Sequence, residues 1–308
     1  MERKLNRGEQ LFRNWHTTSA VRSRPDDYHL TTEDLADPVP DRWFPPALNA
    51  ALALEEIQRQ PSARRLIIHV SHLVHFLDYT TELELTVVNN AIALMTHGGI
   101  SQNFTRSDHR AALMLYTDEG YHALFSRQIA DQVAEHYCLE RTQPMRAARL
   151  HQYIAQAPVN FREITEFLIA FVSETIITKE LSMLTREQLV SPIFNMLRDH
   201  LNDEGRHSIF FAGCFARIIP KLNATEKLYV AQALCEIIPI FCRPDALFLQ
   251  NVLSDEPELC KDILAALECT ASARGPSVAS FTLHAIQRTD LLANAHHRRL
   301  FREVGLIP

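Results

Sequence analysis

Residues 118–122 read DEGYH and residues 203–207 read DEGRH, 85 positions apart. Glu at i and His at i+3 leave one face of a helix together, so each pentapeptide can offer a carboxylate and an imidazole to one point. A lone ExxH arises by chance in a chain with 15 His; the repeat of the flanking Asp and Gly sets this pair apart. Two such helices, with one Glu from each of two others, make a carboxylate-bridged pair of metal positions in a four-helix bundle.

Each outgoing helix must then carry a Glu level with its ExxH. Glu84 lies 35 residues before Glu119, with the midpoint just past Gly98-Gly99. Glu174 lies 30 before Glu204, with the midpoint at Leu189, just before Ser191-Pro192. Folding each segment at its breaker brings Glu84 beside Glu119 and Glu174 beside Glu204. Glu82 competes with Glu84 but points to another side of the helix; Glu180 competes with Glu174 but lies close to the turn, and Glu166 stays open as a deeper alternative. His200 precedes Glu204 by four, so HxxxExxH shares one face. The expected ligand set is Glu84, Glu119, His122, Glu174, His200, Glu204 and His207. A metal-bound His usually donates its other N–H to a carboxylate, which gives Asp118 to His207 and Asp203 to His122, each across to the other hairpin. Four carboxylates leave two divalent ions near neutral, and oxygen with imidazole donors suits iron, or manganese. A glycine at one motif position in both repeats suggests close backbone approach there, since Gly inside a helix costs about 1 kcal/mol relative to Ala.

The surrounding pattern supplies the helices. Gly is scarce, 8 of 308, and no stretch reads as a strand. The first 45 residues are polar and broken by Pro25, Pro38, Pro40 and Pro45, with Pro46 just after, which predicts an extended arm over 1–45 that wraps the body, or a partly disordered leader, ahead of one helical domain over 46–308. One hairpin runs from about Pro61 to Thr96, turns at 97–103 and returns from Thr105 to Cys138. The second runs from Asn160 to Val190, turns near Ser191-Pro192 and returns to Ile219. The core helices thus span about 61–138 and 158–219, with shorter covering helices over 223–308 broken at Pro239, Pro244, Pro257 and Gly275-Pro276. The class is all-α, built on a four-helix bundle.

Composition narrows function. A net charge of −6 gives nucleic acid no electrostatic support. The six Cys form no CxxC or zinc spacing and read as reduced thiols of a cytoplasmic protein. The start lacks an apolar signal segment, and the longest apolar run, 209–216, is too short to span a bilayer. No flavin or nicotinamide fingerprint appears, so electrons must come from an external donor or reductase, and no catalytic residue is expected beyond the metal ligands. Tyr116 lies one turn before Glu119 and Tyr121 adjoins His122; as the i−1 neighbour of His122, Tyr121 points away from the ligand face, and no radical-storing tyrosine is expected. His69, His72 and His75 read mainly as helix surface, and Arg206 as the partner of a nearby acid.

Glu84, the DExxH at 118–122, Glu174 and the HxxDExxH at 200–207, with LExxxVN at 83–89 and WFP at 43–45, resemble the p-aminobenzoate N-oxygenase family over roughly residues 40–215. The resemblance implies a ferritin-like fold with two Fe ions, and O2 as co-substrate. It implies oxidation of a primary amine to a hydroxylamine, oxime, nitroso or nitro product in secondary metabolite biosynthesis, and a homodimer. The third histidine separates this family from relatives with six protein ligands. Members acting on aminobenzoate place a basic residue about a turn before the first Glu; residues 75–80 contain no Arg or Lys, which points to a larger arylamine or an amino-acyl group held on a carrier protein. The alternatives are a di-iron carbon hydroxylase or desaturase, and a non-catalytic iron-handling protein.

Overall fold

Thr105 opens the longest helix of the molecule: its hydroxyl accepts from the Asp108 N–H, and the Asp108 carboxylate accepts from the Thr105 N–H in return. Such a reciprocal cap satisfies two of the donors a helix start leaves open. The computed structural model describes residues 10–24, 28–47 and 49–308; of the expected arm, 1–9 and 25–27 lie outside them. The first hairpin consists of α1 (Ser62–Leu83), a π-helical turn (Glu84–Val88), α2 (Asn89–His97) and α3 (Arg106–Tyr137). After α4 (Met145–Gln156), the second hairpin pairs α5 (Arg162–Leu184) with α6 (Ser191–Ile218), and Pro192 sits in the first turn of α6, where its missing N–H is harmless. The closest packing in the molecule is α1 on α3 and α5 on α6, the two expected hairpins. No strand occurs among the described residues.

The peripheral helices are α7 (Ala224–Cys242), α8 (Ala246–Val252), α9 (Pro257–Val278), α10 (Ser280–Gln287) and α11 (Ala295–Glu303). Two expected breaks are corrected here, since α7 runs through Pro239 and α9 through Pro276. Each proline lies within the last turn or so of its helix, where losing one N–H removes little of the ladder.

The N-terminal segment contains short helical turns at Trp15–Thr18, Ala20–Ser23 and Thr32–Leu35, and it lies on the bundle. Phe12, Trp15, Ala20, Tyr28, Leu30 and Trp43 are all buried.

Apolar packing forms two bodies. One joins Leu83–Met95, Ala111–Leu115, Ile164–Ile176 and Phe210–Ile219 with the C-terminal helices. The other joins Ile68–Leu77, Phe125–Ala134, Ile177–Leu184 and Ile193–Leu197 with residues around Trp43. Between them, all four core helices pass through a belt of buried polar side chains: Glu84, Asp118, Glu119, His122, Glu174, His200, Asp203, Glu204 and His207.

Close backbone approach is found at the turn of the first hairpin. A Cβ on Gly98 would lie 2.8 Å from the Leu94 carbonyl and 3.0 Å from Glu163, whose carboxylate also accepts from the Ile100 N–H. It is not found at the motif glycines: a Cβ on Gly120 or Gly205 would meet nothing within 4 Å. Each follows its Glu by one residue, about 100° around the helix, and so turns away from the core. Gly120→Ala and Gly205→Ala are therefore expected to stabilise the protein by about 1 kcal/mol each, whereas Gly98→Ala should destabilise it. Urea denaturation of the three variants checks this, and a destabilised Gly120→Ala would contradict the open surroundings described.

Candidate metal centre

The belt converges at one place. His122 Nδ1 lies 3.4 Å from Glu119 Oε2 and 3.3 Å from Glu204 Oε1. His207 Nδ1 lies 2.8 Å from Glu119 Oε1, 3.1 Å from Glu204 Oε1 and 3.7 Å from Glu174 Oε2. His200 Nε2 is 3.1 Å from Glu84 Oε1 and 3.5 Å from Glu204 Oε1, and its ring lies 4.2 Å from that of His122. The structure thus brings all seven expected ligands together, each at most 5% exposed. Glu82 lies off the belt, half exposed beside His151, and Glu166 is only partly buried, beside Glu163.

Local structure explains the aim of each group. Glu84 opens the π-helical turn, whose wider ring displaces the backbone relative to a regular helix. The outer ring nitrogens face the aspartates: His207 Nε2 is 3.2 Å from Asp118 Oδ2, and His122 Nε2 is 3.3 Å from Asp203 Oδ2. An Nε2–H donated to Asp leaves Nδ1 as the free lone pair, directed into the centre. Both aspartates are held from outside. The Trp15 indole N–H, 2.9 Å from each Asp118 oxygen, donates to that carboxylate, and the Ala20 N–H donates to Asp203 Oδ2 at 2.9 Å. Arg206 pairs with Asp203. Tyr116 is half exposed, and the Tyr121 hydroxyl donates to the Arg24 carbonyl.

Charge is unbalanced within this cage. Burial pushes Glu84 up to about 7 against the pull of His200. Burial, then repulsion from Glu204 and Glu119, holds Glu174 well above the ordinary carboxylate range. For His122 and His207 burial opposes protonation, but the carboxylates around them outweigh it and keep both well above the ordinary imidazole value. Burial also opposes the ionised form of Glu204, yet His207, His122 and His200 hold it well below the usual range. Without a bound cation, protons supply the positive charge that buried carboxylates require.

Glu84 Oε2, both Glu119 oxygens, His122 Nδ1, Glu174 Oε2, His200 Nε2 and Glu204 Oε2 make no well-formed hydrogen bond among the described residues; several meet only across the ion-pair distances given above. Leaving such groups unpaired in a core is strongly unfavourable. Two subsets, Glu119 with His122, Glu204 and His207, and Glu84 with His122 and His200, place one donor atom from each residue within 4.8 Å of the others. The donor set therefore fits divalent iron or manganese.

A cavity of about 160 Å³ lies toward α1 and α5, lined by His72, His75, Tyr79, Arg146, Glu180 and Phe248 among others. Tyr79 and Glu180 stand five and six residues from Glu84 and Glu174, about 8–9 Å along a helix axis. The Arg146 guanidinium sits 4.6 Å over the Tyr79 ring, and its Nε lacks a hydrogen-bond partner among the described residues. Burial pushes Glu180 up against the pull of this cation. Arg146 comes from α4, outside both hairpins, and no spacing rule marks it in the sequence. His69, fully buried, is not helix surface as expected, and neither are His72 and His75. α8 covers them, with Phe248 stacked 4.1 Å from the His75 ring and His75 Nε2 3.4 Å from Asp245 Oδ2.

A family model described as p-aminobenzoate N-oxygenase AurF matches residues 6–271 of the chain. No curated protein matches it.

Proton and metal compete for this cage, which fixes a pH dependence. The folded pKa of Glu84, about 7, lies above its unfolded value, so its contribution to metal-free stability is full below about 4.5 and lost as pH rises through 7. The raised values of His122 and His207 act in the same sense above about 6.5. The gain in melting temperature on adding Mn(II) should therefore grow between about pH 6 and pH 8. Equal gains at both ends would contradict the assignment.

Proposed function

The chain belongs to the p-aminobenzoate N-oxygenase family, and from that premise we propose that it is a non-haem di-iron N-oxygenase acting on a primary amine. The observation that carries the proposal is the buried cage of unpaired donor atoms at the join of the four core helices. Two iron ions held by Glu84, Glu119, His122, Glu174, His200, Glu204 and His207 would supply O2 reduction and transfer of one oxygen atom to nitrogen.

The protein's own side chains do the remaining work. Asp118 and Asp203 accept the Nε2–H groups of His207 and His122 and keep the Nδ1 lone pairs turned inward. Phe12, stacked 6.2 Å from the His207 ring, and the apolar bodies on either side keep bulk water off the centre. The cavity beside Tyr79 receives the amine. Arg146 binds an anionic end of the substrate, and the distance from Tyr79 to Glu84 directs the opposite, amino end toward the cage. A buried charged hydrogen bond of this kind contributes about 1.5–3 kcal/mol. Arylamines and amino-acyl groups on a carrier both fit, and electrons come from a separate donor protein. A role in secondary metabolism and a homodimeric state complete the proposal by family likeness, and a cytoplasmic location by the unpaired cysteines.

Loading the protein anaerobically with two Fe(II) per chain, admitting O2 with a panel of amines and identifying products by mass spectrometry tests this directly. Hydroxylamine, nitroso or nitro products are expected; alcohols or alkenes alone, or a failure to bind two metals, would overturn it. His200→Ala should lower N-oxygenation at least tenfold with a much smaller loss of thermal stability, and full retention of activity would remove His200 from the set. Arg146→Ala should reduce kcat/KM about tenfold or more for amines bearing a carboxylate and leave uncharged amines little affected.

A further inference from the structure

Residues 10–24 touch the centre from the side opposite the cavity. The cavity is built against the outgoing helices α1 and α5, whereas this segment reaches Asp118 and Asp203 on the returning helices α3 and α6. We propose that this face docks an acidic one-electron carrier protein and that Trp15 is where its electrons enter. The inference rests on the N-oxygenase proposal for its purpose.

Two independent observations meet at Trp15. The first is connectivity. The indole N–H donates to Asp118 at 2.9 Å, and Asp118 Oδ2 stands 3.2 Å from His207 Nε2. A near-surface aromatic ring, 8% exposed, is thus joined to a ligand of the cage through one carboxylate and two hydrogen bonds. The segment is fixed over this path: Phe12 stacks on His207, Arg206 Nη1 is 3.4 Å from Thr18 Oγ1, and the Tyr121 hydroxyl donates to the Arg24 carbonyl.

The second is charge. The chain as a whole carries −6, yet residues 1–24 hold six Arg or Lys against two Glu, and residues 10–24 contain no acid. Arg13, Arg22 and Arg24 are exposed on the outer side of the segment. Arg24 and Arg198 flank Asp199, at 3.7 and 3.5 Å, and extend the basic area onto α6. A basic patch on an acidic protein selects an acidic partner, speeds its arrival and orients it. Because Trp15 lies on the same short segment as Arg13, Arg22 and Arg24, a partner held by these charges brings its redox group near the indole.

The stoichiometry closes. An amine RNH2, O2, two electrons and two protons give RNHOH and H2O. The electrons come from two carrier molecules, each oxidised by one electron, and the protons come from solvent. Trp15 passes each electron inward and is unchanged after it.

An acidic [2Fe–2S] ferredoxin serves as the probe. Binding to the metal-free protein, followed by calorimetry, should weaken at least tenfold between about 20 and 300 mM salt. Arg13→Glu/Arg22→Glu/Arg24→Glu should weaken it by at least as much at low salt. Trp15→Phe keeps an aromatic ring but removes the N–H. It should bind ferredoxin normally while slowing ferredoxin-driven reduction of the iron-loaded protein at least tenfold, with reduction by a small viologen mediator unchanged. Absorbance without any amine follows both reductions, so a failure of N-oxygenation is told apart from a failure of this inference. Undiminished ferredoxin reduction of Trp15→Phe, binding unaffected by the triple charge change, or no binding at low salt would each overturn the proposal. A Trp15→Phe variant slowed equally with both reductants would assign Trp15 to packing alone and would overturn the electron-entry role.

Discussion

Carboxylates gathered in a protein interior repel one another and lose their hydration, and this fold is organised around four of them. Glu84, Glu119, Glu174 and Glu204 come one from each core helix into a volume that three imidazoles share. Such an assembly holds together only when something positive stands among them, whether protons on His122 and His207 or metal ions. Two apolar bodies above and below provide the favourable burial that offsets the polar belt. The cage is thus a local sacrifice of stability within a bundle otherwise packed in the ordinary way, as expected where a site has chemistry to perform.

The bundle was legible in the sequence because a helical hairpin converts separation along the chain into depth. Gly98 and Pro192 mark the folds, and counting outward from them reaches Glu84 with Glu119, and Glu174 with Glu204. The Asp–His exchange between hairpins was legible for the same reason, since the repeated DExxH fixes both partners on known faces. What could not be read is what depends on contacts between distant segments. Arg146 reaches the cavity from a connecting helix whose register against α1 no local pattern sets. Trp15 sits in a stretch whose prolines and polar residues suggest an arm, and only docking shows it bonded to Asp118. The motif glycines misled because Gly in a helix has two opposite explanations, close approach or simple exposure, and sequence does not choose between them.

Positioning in this molecule comes in layers. The π-helical turn aims Glu84, the aspartates aim the imidazoles, and the N-terminal segment holds the aspartates. Each layer is farther from the centre than the one it supports, and only the outermost, with Trp15 at 8% exposed, comes near the surface. The covering helices do the corresponding service on the other side, where α8 closes over His72 and His75 and shapes the cavity.

The cross-bracing of Asp118 with His207 and Asp203 with His122 gives the two hairpins an approximate two-fold relation, each lending the other a carboxylate. His200 breaks that symmetry. The equivalent position in the first hairpin, four residues before Glu119, is the fully buried Leu115. One half of the cage therefore offers a nitrogen donor where the other offers hydrocarbon. A pair of ions seated there would be inequivalent from the outset, with different donor sets and different affinities, and loading would proceed in two distinguishable steps.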